Sequence, residues 1–126
     1  MKTLIQYFAV ALGGSLGAMA RLLVSSTSAR LFGTAFPVGT FVINISGSFI
    51  LGCFLALISN RMTVSDTTRL AVAVGFVGAY TTFSTYVYES NALLDAGAGM
   101  KAALNLVGSV VVGLFAVRLG ILVGSR

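Results

Sequence analysis

Four stretches of this 126-residue chain, near 4–24, 37–59, 69–94 and 101–124, are long, apolar and almost free of charge. A helix rises 1.5 Å per residue, so about 20 residues cross the roughly 30 Å hydrocarbon slab of a bilayer. Each stretch reaches that length. Backbone polar groups find no water inside the slab, and a helix satisfies them internally. The expected fold is an all-α membrane protein with four transmembrane helices. The links at 25–36, 60–68 and 95–100 are too short for a soluble domain, so residues 1–126 are expected to form one transmembrane domain. Composition agrees: charged residues make up 9% of the chain, against roughly a quarter in soluble domains, and mean hydropathy is +1.00.

The net charge of +5 comes from isolated Lys and Arg residues. Without a basic run there is no footprint for nucleic acid. The chain has no His, and its single Cys53 lies inside the second apolar stretch, where it reads as a small packing residue. Transition-metal chemistry and His-based catalysis have no carrier. Hydroxyls are plentiful, but no carboxylate stands ready to activate one, so the chain does not read as an enzyme. The start, MKTLIQYFAVALGGSLGAMA, imitates a cleavable leader. Gly13, Gly14 and Gly17 instead give that segment a small-residue face suited to close helix packing.

Basic residues near the membrane surfaces set orientation. With four spans, one side collects Lys2, Arg61, Arg69 and Arg126, and the other collects Arg21, Arg30 and Lys101. Four against three is almost no bias. The plain reading is a weakly set single orientation. A chain that inserts both ways would instead form an antiparallel two-fold dimer, whose isologous interface closes on itself.

Several polar residues sit where a bilayer-filling helix needs none. Arg21 falls near the end of the first span, where a charge snorkels, pairs or lines a watery cavity that concentrates anions. Asn44 stands among Val42, Ile43 and Ile45; its amide serves either as an interhelical hydrogen bond or as a donor to something passing. The third span carries GFVGAYTTFSTY at 75–86. Gly75 and Gly78 tolerate dihedrals that other residues resist, and hydroxyls satisfy main-chain groups where a membrane helix breaks. The expectation is a third helix broken near the midplane, a place that commonly binds ions. Glu89 lies at the far end of the same span, where it reads as a cap or a partner for Arg. On the fourth span Asn105 and Ser109 share one helix face. Arg118 reads as a snorkelling residue without a further role.

The segments GGSLGAMAR (13–21), GTFVINISGSF (39–49), GFVGAYTTFSTY (75–86) and NLVGSVVVGL (105–114) together resemble one family, the small bacterial fluoride channels called Fluc. The resemblance covers nearly the whole chain. It implies a dual-topology antiparallel homodimer in the bacterial cytoplasmic (inner) membrane, with two pores that let fluoride leave passively. By the resemblance, Arg21 lies at the vestibule, Asn44 lines the pore, and Phe83 and Tyr86 are its two aromatics. Ser84 and Thr85 match a hydroxyl pair along the pore, Glu89 an acidic position near its end, and Ser109 a polar position on the fourth span. The family's structural sodium ion, Na+, is held at the dimer centre by main-chain carbonyls that match Gly78 and Thr81 of both subunits. The implied partners are fluoride, sodium, a second copy and lipid. Two positions depart from the family pattern: Tyr86 replaces the usual Phe, and Asn105 stands where an aromatic or another polar residue is commoner.

Physical chemistry supports an anion path independently. A small anion is tightly hydrated, and Asn44, Ser84, Thr85 and Ser109 supply N–H and O–H groups to replace water. Aromatic edges are positive, so Phe83 edge-on faces an anion favourably. The Tyr86 hydroxyl would either add a donor or narrow the path. Two other readings compete. A small multidrug exporter shares the four short spans but needs an intramembrane acid in the first, which is absent. A non-transporting subunit would leave the aromatics without a role.

Overall fold

A computed structural model describes all residues, Met1–Arg126. Helix α1 spans Lys2–Phe32 and α2 spans Val38–Asn60. The third apolar stretch begins with α3, Asp66–Arg69, started by the Ser65 side chain, which accepts the Thr68 N–H at 3.1 Å. It continues as a π-helical run, Leu70–Val77, then α4, Gly78–Tyr80, and α5, Phe83–Asp95. Helix α6 spans Gly99–Ser125. Lys2–Phe32, Val38–Asn60, Asp66–Asp95 and Gly99–Ser125 are each long and apolar enough to cross a membrane.

The first helix corrects one expectation. It continues to Phe32 instead of ending near residue 24, because nothing in Ser25–Ser28 breaks it and Ser26 returns its hydroxyl to the Leu23 carbonyl at 3.1 Å. It stops at Gly33, whose φ of 73° suits a residue without Cβ and whose N–H closes onto the Ala29 carbonyl. Arg30 in the last turn faces the negative helix end. Thirty-one residues make a rod of about 46 Å, longer than the hydrocarbon is thick. Arg21 is therefore well inside α1, not close to its end. It lies about 28 Å along the axis from Lys2, a distance close to the roughly 30 Å thickness of the hydrocarbon.

Glycines let the helices touch backbone to backbone. Any Cβ at Gly13 or Gly17 of α1 would collide with the carbonyls of Ala71 and Phe76. On the other side of the molecule, Gly120 and Gly124 of α6 sit on the carbonyls of Phe49 and Cys53, and Gly52 of α2 sits on that of Val117. Without a hydrophobic drive in lipid, such close approach is what holds helices together. Gly120→Ala is expected to destabilise the fold by about 1–3 kcal/mol through overpacking, read as a lower unfolding temperature in detergent. Gly99→Ala, with nothing within 4 Å of its added Cβ, should leave that temperature unchanged.

Only 17 residues are buried, and large apolar side chains such as Leu12, Leu16, Leu114 and Phe115 point outward. The exposed surface of 8025 Å² exceeds the roughly 6,300 Å² of a compact water-soluble monomer of this mass. A single copy is thus open, with much apolar surface left for lipid or protein.

Candidate functional site

Helical dihedrals lapse at two residues, Thr81 (φ −76°, ψ 158°) and Thr82 (φ −150°, ψ 116°). Neither glycine expected to permit this is strained: Gly78 is right-handed helical (φ −61°, ψ −38°), and the only positive-φ glycines are Gly33 and Gly97. Gly75 is small because a Cβ there would come 2.7 Å from the Val10 carbonyl of α1. Side chains meet the lapse. Asn44 of α2 clamps the Thr82 peptide at both ends: its Oδ1 accepts the Thr82 N–H at 2.9 Å, and its Nδ2 donates to the Thr82 carbonyl at 3.0 Å. In a continuous helix that N–H would bond the Gly78 carbonyl four residues back. Thr82 then starts α5, its hydroxyl accepting the Thr85 N–H at 3.3 Å and donating to the Thr85 hydroxyl at 2.9 Å. This cap removes the donor that the Thr81 carbonyl would have had, and no protein group donates to that carbonyl.

Asn44 therefore holds the main chain, leaving one N–H of its amide uncommitted. Together with Thr81, Thr82, Phe83, Tyr86 and Ser109 it lines a cavity of about 320 Å³. The Phe83 and Tyr86 rings stand 5.8 Å apart at a 44° tilt. Phe83 is 77% exposed, whereas Tyr86 is buried at 7%. The Tyr86 hydroxyl donates to the Leu106 carbonyl of α6 at 2.7 Å. Its one hydroxyl proton is thus committed to fastening α5 to α6 and is not offered to the cavity.

Arg21 lines a second hollow, about 360 Å³, with Ser25, Thr40, Ile43, Thr82 and Thr85. Thr82 borders both hollows. The chain's only acids are Asp66, Glu89 and Asp95, and none lines this one. Ser25 and Thr40 also border a third hollow, about 430 Å³, with Glu89, Lys101 and the 33–38 link. There Glu89 keeps one carboxyl oxygen buried without a hydrogen-bond partner, while Lys101 donates to the Ala35 carbonyl at 3.3 Å. Asn44, Phe83, Tyr86 and Ser109 are thus brought together, with Arg21 and Thr85 across Thr82. Ser84 and Gly78 line none of these three hollows and are exposed.

Three residues gain importance beyond the sequence reading. Thr82 is the hinge of the clamp; a Thr directly ahead of a helical segment is an N-cap signal. Tyr80 turns inward, stacks on Phe76 at 6.0 Å, and gives its hydroxyl proton to Ser46, whose own proton goes to the Val42 carbonyl. Ser90, buried at 2%, joins α5 to Asn105 of α6 at 2.9 Å. No local pattern marks Ser90 or Tyr80.

Comparison with known proteins agrees with these motifs. Residues 8–121 match the family model described as CrcB-like protein, Camphor Resistance (CrcB). A fluoride-specific ion channel FluC of Acidobacterium capsulatum is 44% identical over 122 residues, 97% of this chain and 98% of that one. The FluC of Chloroflexus aurantiacus is 47% identical over 116 residues, 92% of each chain. That of Maridesulfovibrio salexigens is 38% identical over 119 residues, 94% of each. With matches running almost end to end, this four-span chain belongs to the CrcB family of multi-pass membrane proteins, the family of the small fluoride channels that its motifs resemble.

Proposed function

We propose that this protein is a fluoride-selective channel that lets the anion leave the cell passively through the bacterial cytoplasmic membrane. The observation that carries the reading is the cavity where Asn44, Phe83 and Ser109 meet beside the Thr81–Thr82 lapse, with Arg21 across Thr82. Arg21 draws anions toward the hollow it lines. The free N–H of Asn44 and the hydroxyls of Ser109, Thr85 and Ser84 replace hydration water. Phe83 contributes a positive ring edge, and Tyr86 holds the wall that Phe83 leans on.

The working unit is an antiparallel homodimer with two pores. Support comes from the near-even charge tally, the open single copy, and the outward exposure of Phe83, Ser84, Thr85 and Gly78. These residues belong to a path that one copy leaves unwalled. In this reading the Thr81–Thr82 lapse lies near the midplane of the bilayer. The Thr81 carbonyl has no donor and the Gly78 carbonyl gets none from Thr82, so both fit a hard cation such as sodium. Bound there by both subunits, sodium would supply a fixed positive charge that holds the two lapses together. The Asn44 clamp and the Thr82 cap are what turn these carbonyls loose.

Purified protein in liposomes loaded with potassium fluoride tests the reading. Fluoride efflux is expected only when valinomycin carries the compensating potassium, with chloride efflux far slower. No fluoride efflux would overturn the channel reading, and fluoride efflux coupled to protons without valinomycin would overturn passive conduction. Equal flux after exhaustive replacement of sodium by a bulky organic cation would remove the sodium proposal alone.

A further inference from the structure

Asn105 is 0% exposed, in the second turn of α6. Every polar atom of such an amide needs a partner, and the directions of its hydrogen bonds can be worked out from one end. Ser90 has a single hydroxyl proton and gives it to the Tyr86 carbonyl at 2.7 Å. It must therefore accept from Asn105, which turns Nδ2 toward Ser90 at 2.9 Å and Oδ1 toward Ser109. The Ser109 hydroxyl donates to that Oδ1 at 3.5 Å. Three bonds thus run head to tail from Ser109, at the cavity wall, to the backbone of α5.

The first bond of this run, from Ser109 to Asn105, is the unusual one. Four other helix serines return their protons to the carbonyl four residues back over short distances: Ser15 at 2.8 Å, Ser46 at 2.7 Å, Ser48 at 2.8 Å and Ser90 at 2.7 Å. That is the ordinary fate of a membrane serine. Ser109 instead reaches the side chain of Asn105 at a distance where a hydrogen bond is nearly lost. We propose that Asn105 is a positioning residue: it keeps the Ser109 hydroxyl out of the short back-bond and in a weak contact from which a passing anion can take it. The inference rests on the channel reading, with Ser109 on the anion path. Release follows from the same geometry. While Ser109 faces the anion, the buried Oδ1 of Asn105 has no donor, and that cost returns the hydroxyl once the ion has moved on.

The test is a double-mutant cycle in the liposome assay, with fluoride flux measured against fluoride concentration. Asn105→Leu removes the acceptor, so Ser109 should fall back onto the main-chain carbonyl of residue 105. The half-saturating fluoride concentration is expected to rise about fivefold, the effect of losing one net hydrogen bond. Ser109→Ala should show a similar rise, and the double variant should be no worse than Ser109→Ala. If the Asn105→Leu protein does not elute as a single species, Ser90→Ala replaces it. That change frees the amide to turn without opening a large hole, and its effect should likewise vanish in the Ser109→Ala background. Multiplying effects would make Asn105 purely structural and overturn the inference. A wild-type concentration dependence in Asn105→Leu or in Ser109→Ala would overturn it too, with the channel reading intact. Absence of fluoride flux in the unaltered protein would instead strike the channel reading itself.

Discussion

Asn44→Asp is expected to cut fluoride flux by at least about a hundredfold, equivalent to about 2.7 kcal/mol on the barrier. The carboxylate retains an oxygen to accept the Thr82 N–H, so the clamp survives in part. It loses the N–H that meets the Thr82 carbonyl at 3.0 Å and places negative charge in a cavity also lined by Leu51, Val77, Val110 and Phe83. An anion approaching that charge in such surroundings meets strong repulsion. Asn44→Leu separates the two causes. It carries no charge but leaves the N–H and carbonyl of Thr82, itself 8% exposed, unpaired, which costs about 1–3 kcal/mol for each group. The Asp variant should therefore elute as a folded species and fail in efflux, whereas the Leu variant should fail first in thermal unfolding. Undiminished efflux through Asn44→Asp would take Asn44 off the anion path.

Phe83→Ile should lower flux by about a hundredfold, again a barrier change of about 2.7 kcal/mol, with little effect on the single subunit's stability. The ring is 77% exposed, so the subunit loses little buried area. Its tilted contact with Tyr86 is worth about 0.5–1.5 kcal/mol. Isoleucine is of comparable bulk and equally apolar. What it lacks is the positive edge of the ring, so a fall in flux reports that electrostatic feature and not the size of the opening. The measurement is efflux beside the elution profile of the purified variant. Flux equal to that of the unaltered protein would remove Phe83 from the path.

The membrane class and the number of spans were legible because hydropathy over twenty residues is a sum, and sums survive local detail. Helix ends were less so. α1 outran its apolar stretch because Ser25–Ser28 are polar without being helix breakers, and only Gly33 stops it. The site was legible in part: Asn44, Phe83, Tyr86 and Ser109 do share one cavity. The glycines of the third span were misleading. Gly75 is there for contact with α1, and Gly78 holds ordinary helical dihedrals. What meets the Thr81–Thr82 lapse is a clamp from a residue 38 positions earlier in the chain, and no window along the third span contains it. The Tyr86 hydroxyl was likewise illegible, since its acceptor, the Leu106 carbonyl, belongs to another helix.

The π-helical run Leu70–Val77 has a consequence for how the chain tolerates changes in length. A wide turn holds one residue more than an α-turn, so part of the run is, in effect, an insertion absorbed in place. Removing one residue there would let the segment tighten into an α-helix while α1 still gripped it through Gly13 and Gly17. Everything beyond would keep most of its phase, because the tighter turn takes up the missing residue, whereas a deletion within a regular helix turns all that follows by about 100°. The same deletion at Ala96–Ala98 would only shorten a link between helices. For a gene under mutation, the third span thus carries slack in length just upstream of the point where the Thr82 peptide meets Asn44.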